Sequence, residues 1–360
     1  MEIEKFSTDW SQAHIVNDAI NNSELTVEEA ENFDDFETLI PQIVHTTMFV
    51  ELPNERLAEM GNISQGEALE NLLSQRSDNQ QSVLDILVEN KISLSIALQD
   101  GFDNDPHMIN AFKTLNERGI TPTFWIVLND EQGYWTEKAN AEKTIEKLER
   151  ALEWAQENHI DVKRIGLDYE PSIHIMKGII NKNIGKLKSS LIDYSKSSKE
   201  SFERIGDPEE YMNNKISEIG KKYNVTFETY VGKEPLRTLS RLIGLTMKPS
   251  QLSKIIPMVY TSVYPGDDEE KTFNTLRHNE TPALGIAGAD PYHTPGRDLR
   301  EQGTEKKPEL HLSYEQLLSN FKNIFDKNKY HNPFRIHNVF ALDKLQTLEM
   351  IIEARKNALK

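Results

Sequence analysis

Arg164-Ile165-Gly166-Leu167-Asp168-Tyr169-Glu170-Pro171 reads as a short buried strand that finishes in two carboxylates. Alternate side chains of a strand share a face, so Gly166, Asp168 and Glu170 point one way and Ile165 and Leu167 the other. Two acids on one face are costly in a core, and a cleft or a partner has to satisfy them. Pro171 cannot continue the pairing and stops the strand. The fold must therefore bring this pair to the mouth of a pocket.

Seven further segments have strand character. Upstream, Gln42 to Val50 is rich in Val, Thr and Phe. In Lys91 to Leu98, Ile92, Leu94, Ile96 and Leu98 alternate with Ser93, Ser95 and Ala97, the pattern of a strand with one apolar face. Pro122 to Leu128 follows, and downstream come Val225 to Val231, Ile255 to Tyr264, Ala283 to Ala289 and Phe334 to Leu342. Helical stretches separate them. One polar stretch runs over 64–90; another starts with Pro106 in its first turn and ends at Gly119. Over 136–158, Ile145, Leu148, Leu152 and Ala155 keep helical spacing. Later helices fall at 235–247, 313–327 and 344–358, and residues 171–224 form an elongated, helix-like connection after the fourth strand. Eight strands joined by helical crossovers imply a parallel sheet. The count suits a closed (β/α)8 TIM barrel over residues 41–360. An open doubly wound sheet is the runner-up, but neither G-x-G-x-x-G nor G-x-x-x-x-G-K-[ST] occurs.

Residues 1–40 read as an acidic helical N-terminal extension. They hold eleven acids and one Lys in a chain of net charge −17. Thr26 and Glu29 have capping-box spacing ahead of Phe33, Phe36 and Leu39-Ile40. The bland account of such a charge run is a solvated helix pair. The overall charge argues against nucleic acid and anionic membrane as partners. With no cysteine, disulfides, thiolate metal sites and Cys nucleophiles are excluded. No basic-then-apolar leader and no apolar run of 18 residues is seen, so a cytoplasmic protein with no membrane partner is expected. Nothing in the pattern sets an oligomeric state.

In barrels of this kind the active site lies at the C-terminal ends of the strands. The faces opposite the apolar rows give a candidate lining. His45, Thr47 and Glu51 come from the first strand, Gln99 and Asp100 from the second, and Trp125 and Asn129 from the third. Asp168 and Glu170 follow from the fourth, Glu228 and Tyr230 from the fifth, and Met258, Tyr260, Ser262 and Tyr264 from the sixth. Asp290, His337 and Asp343 complete it. Acids can move protons at glycosidic oxygens. Flat aromatic faces such as Trp125, Trp135 and Tyr292 suit the C–H faces of sugar rings, although aromatics also fill ordinary cores.

Leu167-Asp168-Tyr169-Glu170-Pro171 resembles the tail of the Asp-x-x-Asp-x-Asp-x-Glu signature of family-18 glycoside hydrolases, the chitinases and their relatives. Lys91-Ile92-Ser93-Leu94-Ser95-Ile96 is similar to that family's second strand, and Met258-Val259-Tyr260 to its sixth. The resemblance implies a glycosidase with Glu170 as general acid/base, Asp168 steadying an acetamido group and the Tyr260 hydroxyl beside it. It implies no metal and no cofactor. The sequence departs from the pattern at Lys163 and Gly166, where the two earlier signature acids fall, and at Ala97, Leu98 and Thr261.

The leading expectation is thus a glycoside hydrolase on a carbohydrate substrate. Its catalytic residues are Glu170, Asp168 and Tyr260. Its substrate contacts are Trp125, Asn129, Trp135, Glu228, Tyr230, Met258, Tyr264, Asp290 and Tyr292. One alternative is a metal- or phosphate-dependent barrel isomerase or lyase, with His45, Glu51, Glu228, Asp290, His293 and His337 as possible ligands. The other is a carbohydrate-binding barrel without catalysis.

Overall fold

The computed structural model describes residues 46–52, 57–58, 60–180, 183–232, 236–259, 283–284, 314–325, 337–340 and 345–358. The acidic extension expected at 1–40 lies outside them. The strands are β1 (Thr46–Val50), β2 (Ile92–Leu98), β3 (Thr123–Ile126), β4 (Arg164–Tyr169), β5 (Thr226–Gly232), β6 (Ser253–Val259), β7 (Ala283–Leu284) and β8 (His337–Phe340). Each pairs in parallel with the next, and β8 pairs with β1, so the ring closes. Around it lie α1 (Gln65–Ser74), α2 (Val83–Glu89), α3 (Pro106–Glu117), α4 (Ala141–Glu157), α5 (Ile173–Ile180), α6 (Ile184–Ile205), α7 (Pro208–Tyr223), α8 (Leu236–Leu242), α9 (Tyr314–Phe325) and α10 (Leu345–Ala358). The long connection after the fourth strand is thus three helices, α5 to α7.

Strand alternation sorts the side chains into two cores. Ile92, Leu94, Ile96 and Leu98 of β2 face outward, with Phe124, Ile126, Ile165 and Leu167, onto the helices. Leu148, Leu152 and Ala155 of α4 belong to the same layer. Burying each such Leu or Ile contributes about 1.5–3 kcal/mol. The inner core is aromatic: Phe49, Trp125 and Tyr230 fill the barrel with Ala97, Ile256 and Met258. The Phe49 ring meets Trp125 at 5.4 Å and Tyr230 at 4.8 Å between centroids, both edge-on.

The helix expected over 235–247 ends at Leu242, and two further helix boundaries differ from the sequence expectation for a local reason. The stretch 64–90 is two helices. Ser82 restarts the chain as α2, its Oγ accepting from the Asp85 N–H while Asp85 accepts from the Ser82 N–H, each at 3.1 Å. The helix expected from residue 136 begins at Ala141, because residues 136–140 are spent on bonds to β4 and to the preceding loop, described below.

Gly166 lies opposite Trp125 on β3 and Glu228 on β5. A Cβ built there would sit 2.6 Å from Cε2 and 2.7 Å from Cζ of Tyr230. The tyrosine ring occupies the space a side chain would need. Gly166→Ala is therefore expected to cost about 1–3 kcal/mol by overpacking, read as a lower denaturation midpoint in urea. An unchanged midpoint would show that the ring does not rest on that glycine.

Candidate active site

The inward face of β4 carries Gly166 and then Asp168, with Glu170 one residue past the strand end. Asp168 is 2% exposed. Its Oδ1 has no hydrogen-bond partner among the described residues. Burial, and then the neighbouring charges of Glu170 and Glu51, push its pKa well above the usual carboxylate range. Burial alone pushes Glu170 up to about 7. The lone dyad on β4 is thus a trio, because Glu51 follows β1 into the same space.

Tyr134 donates its O–H to Glu51 Oε1. Gln99 Nε2 lies 3.5 Å from the same phenol oxygen. Burial first, and the Glu51 charge second, drive the Tyr134 pKa far up, so its proton stays in place and Glu51 keeps a fixed donor. Tyr134 holds this pose with φ +68, and its ring packs edge-on against Trp135 at 5.8 Å.

The loop between β3 and α4 clamps the C-terminal end of β4. The Thr136 N–H donates to the Asp168 carbonyl at 2.8 Å. The Ser172 N–H donates to Glu137 Oε2 at 3.0 Å. Asn140 locks the loop itself: it accepts from the Glu137 N–H and donates to the carbonyls of Trp135 and Gln132, each at 2.8 Å. Gly133, at φ +101, leaves room for the Glu137 carboxyl, whose Oε1 would lie 2.8 Å from a Cβ there. Burial raises the Glu137 pKa to about 8, against the pull of the Ser172 N–H. Glu137 was not legible as a site residue: an acid ahead of a helix is ordinary, and no local pattern marks this one as buried.

Below the carboxyls lies a polar floor. The Tyr230 hydroxyl is 2.9 Å from Ser95 Oγ and 3.3 Å from Glu228 Oε2. A phenol has one proton, so donation to Glu228 leaves Ser95 to donate to Tyr230. At the rim, Asn129 Nδ2 donates to Asp100 Oδ2 at 3.1 Å, and Lys147 Nζ meets Asp100 Oδ1 at 2.6 Å. Burial of Asp100 is outweighed by Lys147, and its pKa falls. Beyond Gln99 and Asp100 a cleft of about 560 Å³ opens between the start of α1 and the β2–α3 loop.

Of the expected site residues, Asp168, Trp125, Trp135, Glu228, Tyr230 and Met258 are buried in or against the barrel interior. Glu170 is partly exposed and Asn129 stands at the rim. Tyr260, Tyr264, Asp290 and Tyr292, with His45 and His293, lie outside the described residues. Among the described residues, no group of three or more His, Asp or Glu side chains is arranged to hold a metal ion. Among them, too, no helix is long and apolar enough to cross a membrane.

No protein-family model matches the chain, and no curated protein matches it by sequence. Solved structures of similar shape include a D-psicose 3-epimerase with D-fructose present, at 10% identity and TM-score 0.41, covering 87% of this chain and 96% of that one. A D-allulose 3-epimerase from Methylomonas sp. is similar at 9% identity and TM-score 0.40, covering 88% and 98%. A xylose isomerase domain protein from Planctomyces limnophilus is similar at 7% identity and TM-score 0.39, covering 87% and 92%. Likeness at this level says nothing of what this chain acts on. The resemblance to family-18 glycoside hydrolases is corrected: no family model matches the chain, and the three solved structures named above are described as epimerases and a xylose isomerase domain protein, not as members of that family. The reading as a chitinase-like hydrolase falls with it. Gly166 gives the physical reason: the place of the inner signature acid is filled by the Tyr230 ring.

Proposed function

We propose that the barrel is an isomerase or epimerase that moves a proton on a small polyhydroxylated carbonyl compound of the sugar class. Asp168 and Glu170 are its acid and base. The observation that carries this reading is the pair of neighbouring carboxyls whose environments push both pKa values up, Glu170 to about 7 and Asp168 well above the usual carboxylate range. Two buried carboxyls this close resist ionising together, so the pair can hold one proton while its other carboxyl accepts one. A base and an acid then stand side by side in one enclosed space, which is what abstraction of a proton beside a carbonyl and its return to a neighbouring atom require. Tyr134, Gln99 and Glu51 supply further hydrogen-bonding groups at the same mouth. The aromatic floor of Phe49, Trp125 and Tyr230 excludes water from below.

The test is solvent exchange. Ketohexoses, ketopentoses and their aldose isomers are incubated with the protein in deuterium oxide and followed by proton NMR. Loss of a carbon-bound proton signal in one sugar, abolished by Glu170→Gln, is the expected result. Saturable sugar binding with no exchange in any candidate would instead mark a binding barrel without turnover.

A further inference from the structure

The cleft beyond Gln99 lies at the same end of the ring as Glu51, Asp168 and Glu170, because it is built from the chain that follows β1 and β2. Its volume of about 560 Å³ falls within the range of about 300–1,000 Å³ for small-molecule sites. Gln99 joins the two spaces: it lines the cleft, and its Nε2 lies 3.5 Å from the Tyr134 hydroxyl. Its backbone N–H donates to Gln65 Oε1 at 3.1 Å, and Gln65 donates in turn to the Ala97 carbonyl. Both glutamines are buried, so this wall is fixed.

Helices α1 and α3 both begin at this cleft. Helix starts ordinarily invite a phosphate, through free N–H groups and positive dipole ends. Here the protein fills that place itself. Asp105 Oδ2 accepts from the Gly66 N–H of α1 at 2.7 Å, and its Oδ1 accepts from the His107 N–H of α3 at 3.0 Å. Gly66 permits the approach, since a Cβ there would collide with the Met108 nitrogen. The Glu67 N–H is spent on Ser64 Oγ at 3.1 Å. Among the described residues no Lys or Arg lines the cleft, and His107 is paired with Glu70 at 2.6 Å. Glu67 and Asp100 add carboxyls to the walls, which oppose an anionic ligand. What is left for a ligand is uncharged: the exposed amides of Asn62 and Asn104, and an apolar strip of Leu57, Ile63 and Pro106. We infer that the substrate is an uncharged glycoside of two or more sugar units rather than a single sugar or a sugar phosphate. Its carbonyl-bearing unit meets Asp168 and Glu170, and the next unit lies in the cleft against Asn62 and Asn104. This inference rests on the proton-transfer reading above and adds the class of substrate to it.

The experiment measures deuterium exchange by proton NMR on free ketohexoses, on a fructose monophosphate, and on the disaccharides maltulose, palatinose and turanose, which each join a glucosyl unit to fructose. A disaccharide is expected to exchange with a kcat/KM about tenfold or more above the free and phosphorylated sugars, because contacts to a remote unit are spent at the reacting carbon. Ala58→Trp fills the cleft from an exposed position on its wall. It should erase that advantage and leave exchange on the free ketohexose unchanged, which also reports that the variant is folded. The inference is overturned if free or phosphorylated ketohexose exchanges as well as every disaccharide. It is overturned equally if Ala58→Trp leaves the advantage in place. Either result keeps the proton-transfer reading, provided Glu170→Gln still abolishes the exchange. No exchange on any of these sugars overturns both.

Discussion

Glu137→Gln is expected to make the protein more stable, and increasingly so as pH rises. Glu137 is 4% exposed, and its carboxyl titrates near 8 in the fold against 4.5 for an ordinary glutamate. The sign follows from proton counting. Between those two values the folded chain keeps a proton that the unfolded chain has released, so stability falls with rising pH across the window, and the destabilisation from Glu137 is complete and constant above it. Each unit of the window is worth about 1.4 kcal/mol, which sets a ceiling of about 5 kcal/mol. Glutamine is neutral throughout. Its carbonyl accepts the Ser172 N–H that Glu137 Oε2 accepts now, so the clamp on β4 stays closed. Urea denaturation of parent and variant at pH 4, 7 and 9 reads the difference. It should be near zero at pH 4, about 3 kcal/mol at pH 7, and largest at pH 9. Asp168 and Glu170 have raised values too, but both proteins carry them and they cancel. A gap of constant size across pH would mean that Glu137 is ionised in the fold like a surface acid.

The same carboxyl shows where the sequence stops being informative. Strand periodicity located the face of β4 that holds Asp168, because alternation depends only on neighbours along the chain. It located the outward row of β2 for the same reason. The register of Gly166 against Tyr230 depends on a strand distant in sequence, and only the closed ring shows why glycine stands there. Glu137, Tyr134 and Asn140 belong to a loop whose conformation is fixed by side-chain bonds, including Tyr134 to Glu51 across 83 residues. No periodicity reports such contacts. The family resemblance rested on short strand motifs, and strands of this kind recur in barrels of unrelated chemistry.

Glu170→Gln is expected to abolish carbon–deuterium exchange on the sugar that the parent processes, a loss of about 10²–10⁴-fold for removal of a positioned base. The fold should survive, since Glu170 makes no hydrogen bond or ion pair among the described residues that the amide would break. Asp168→Asn should lower the rate for a different reason. The amide can still donate a hydrogen bond but cannot give up a proton, so binding persists while turnover falls. The pH profile separates the two roles. In the parent the rate should rise through about 7 as the pair gives up its first proton, and fall at higher pH as it gives up the second. Because the two groups sit against each other, these limbs belong to the pair rather than to either residue alone. Asp168→Asn should remove the falling limb and leave the rising one. If the parent's rate instead declined steadily from pH 5 upward, Glu170 would be needed in its protonated form, and the base would have to be another group.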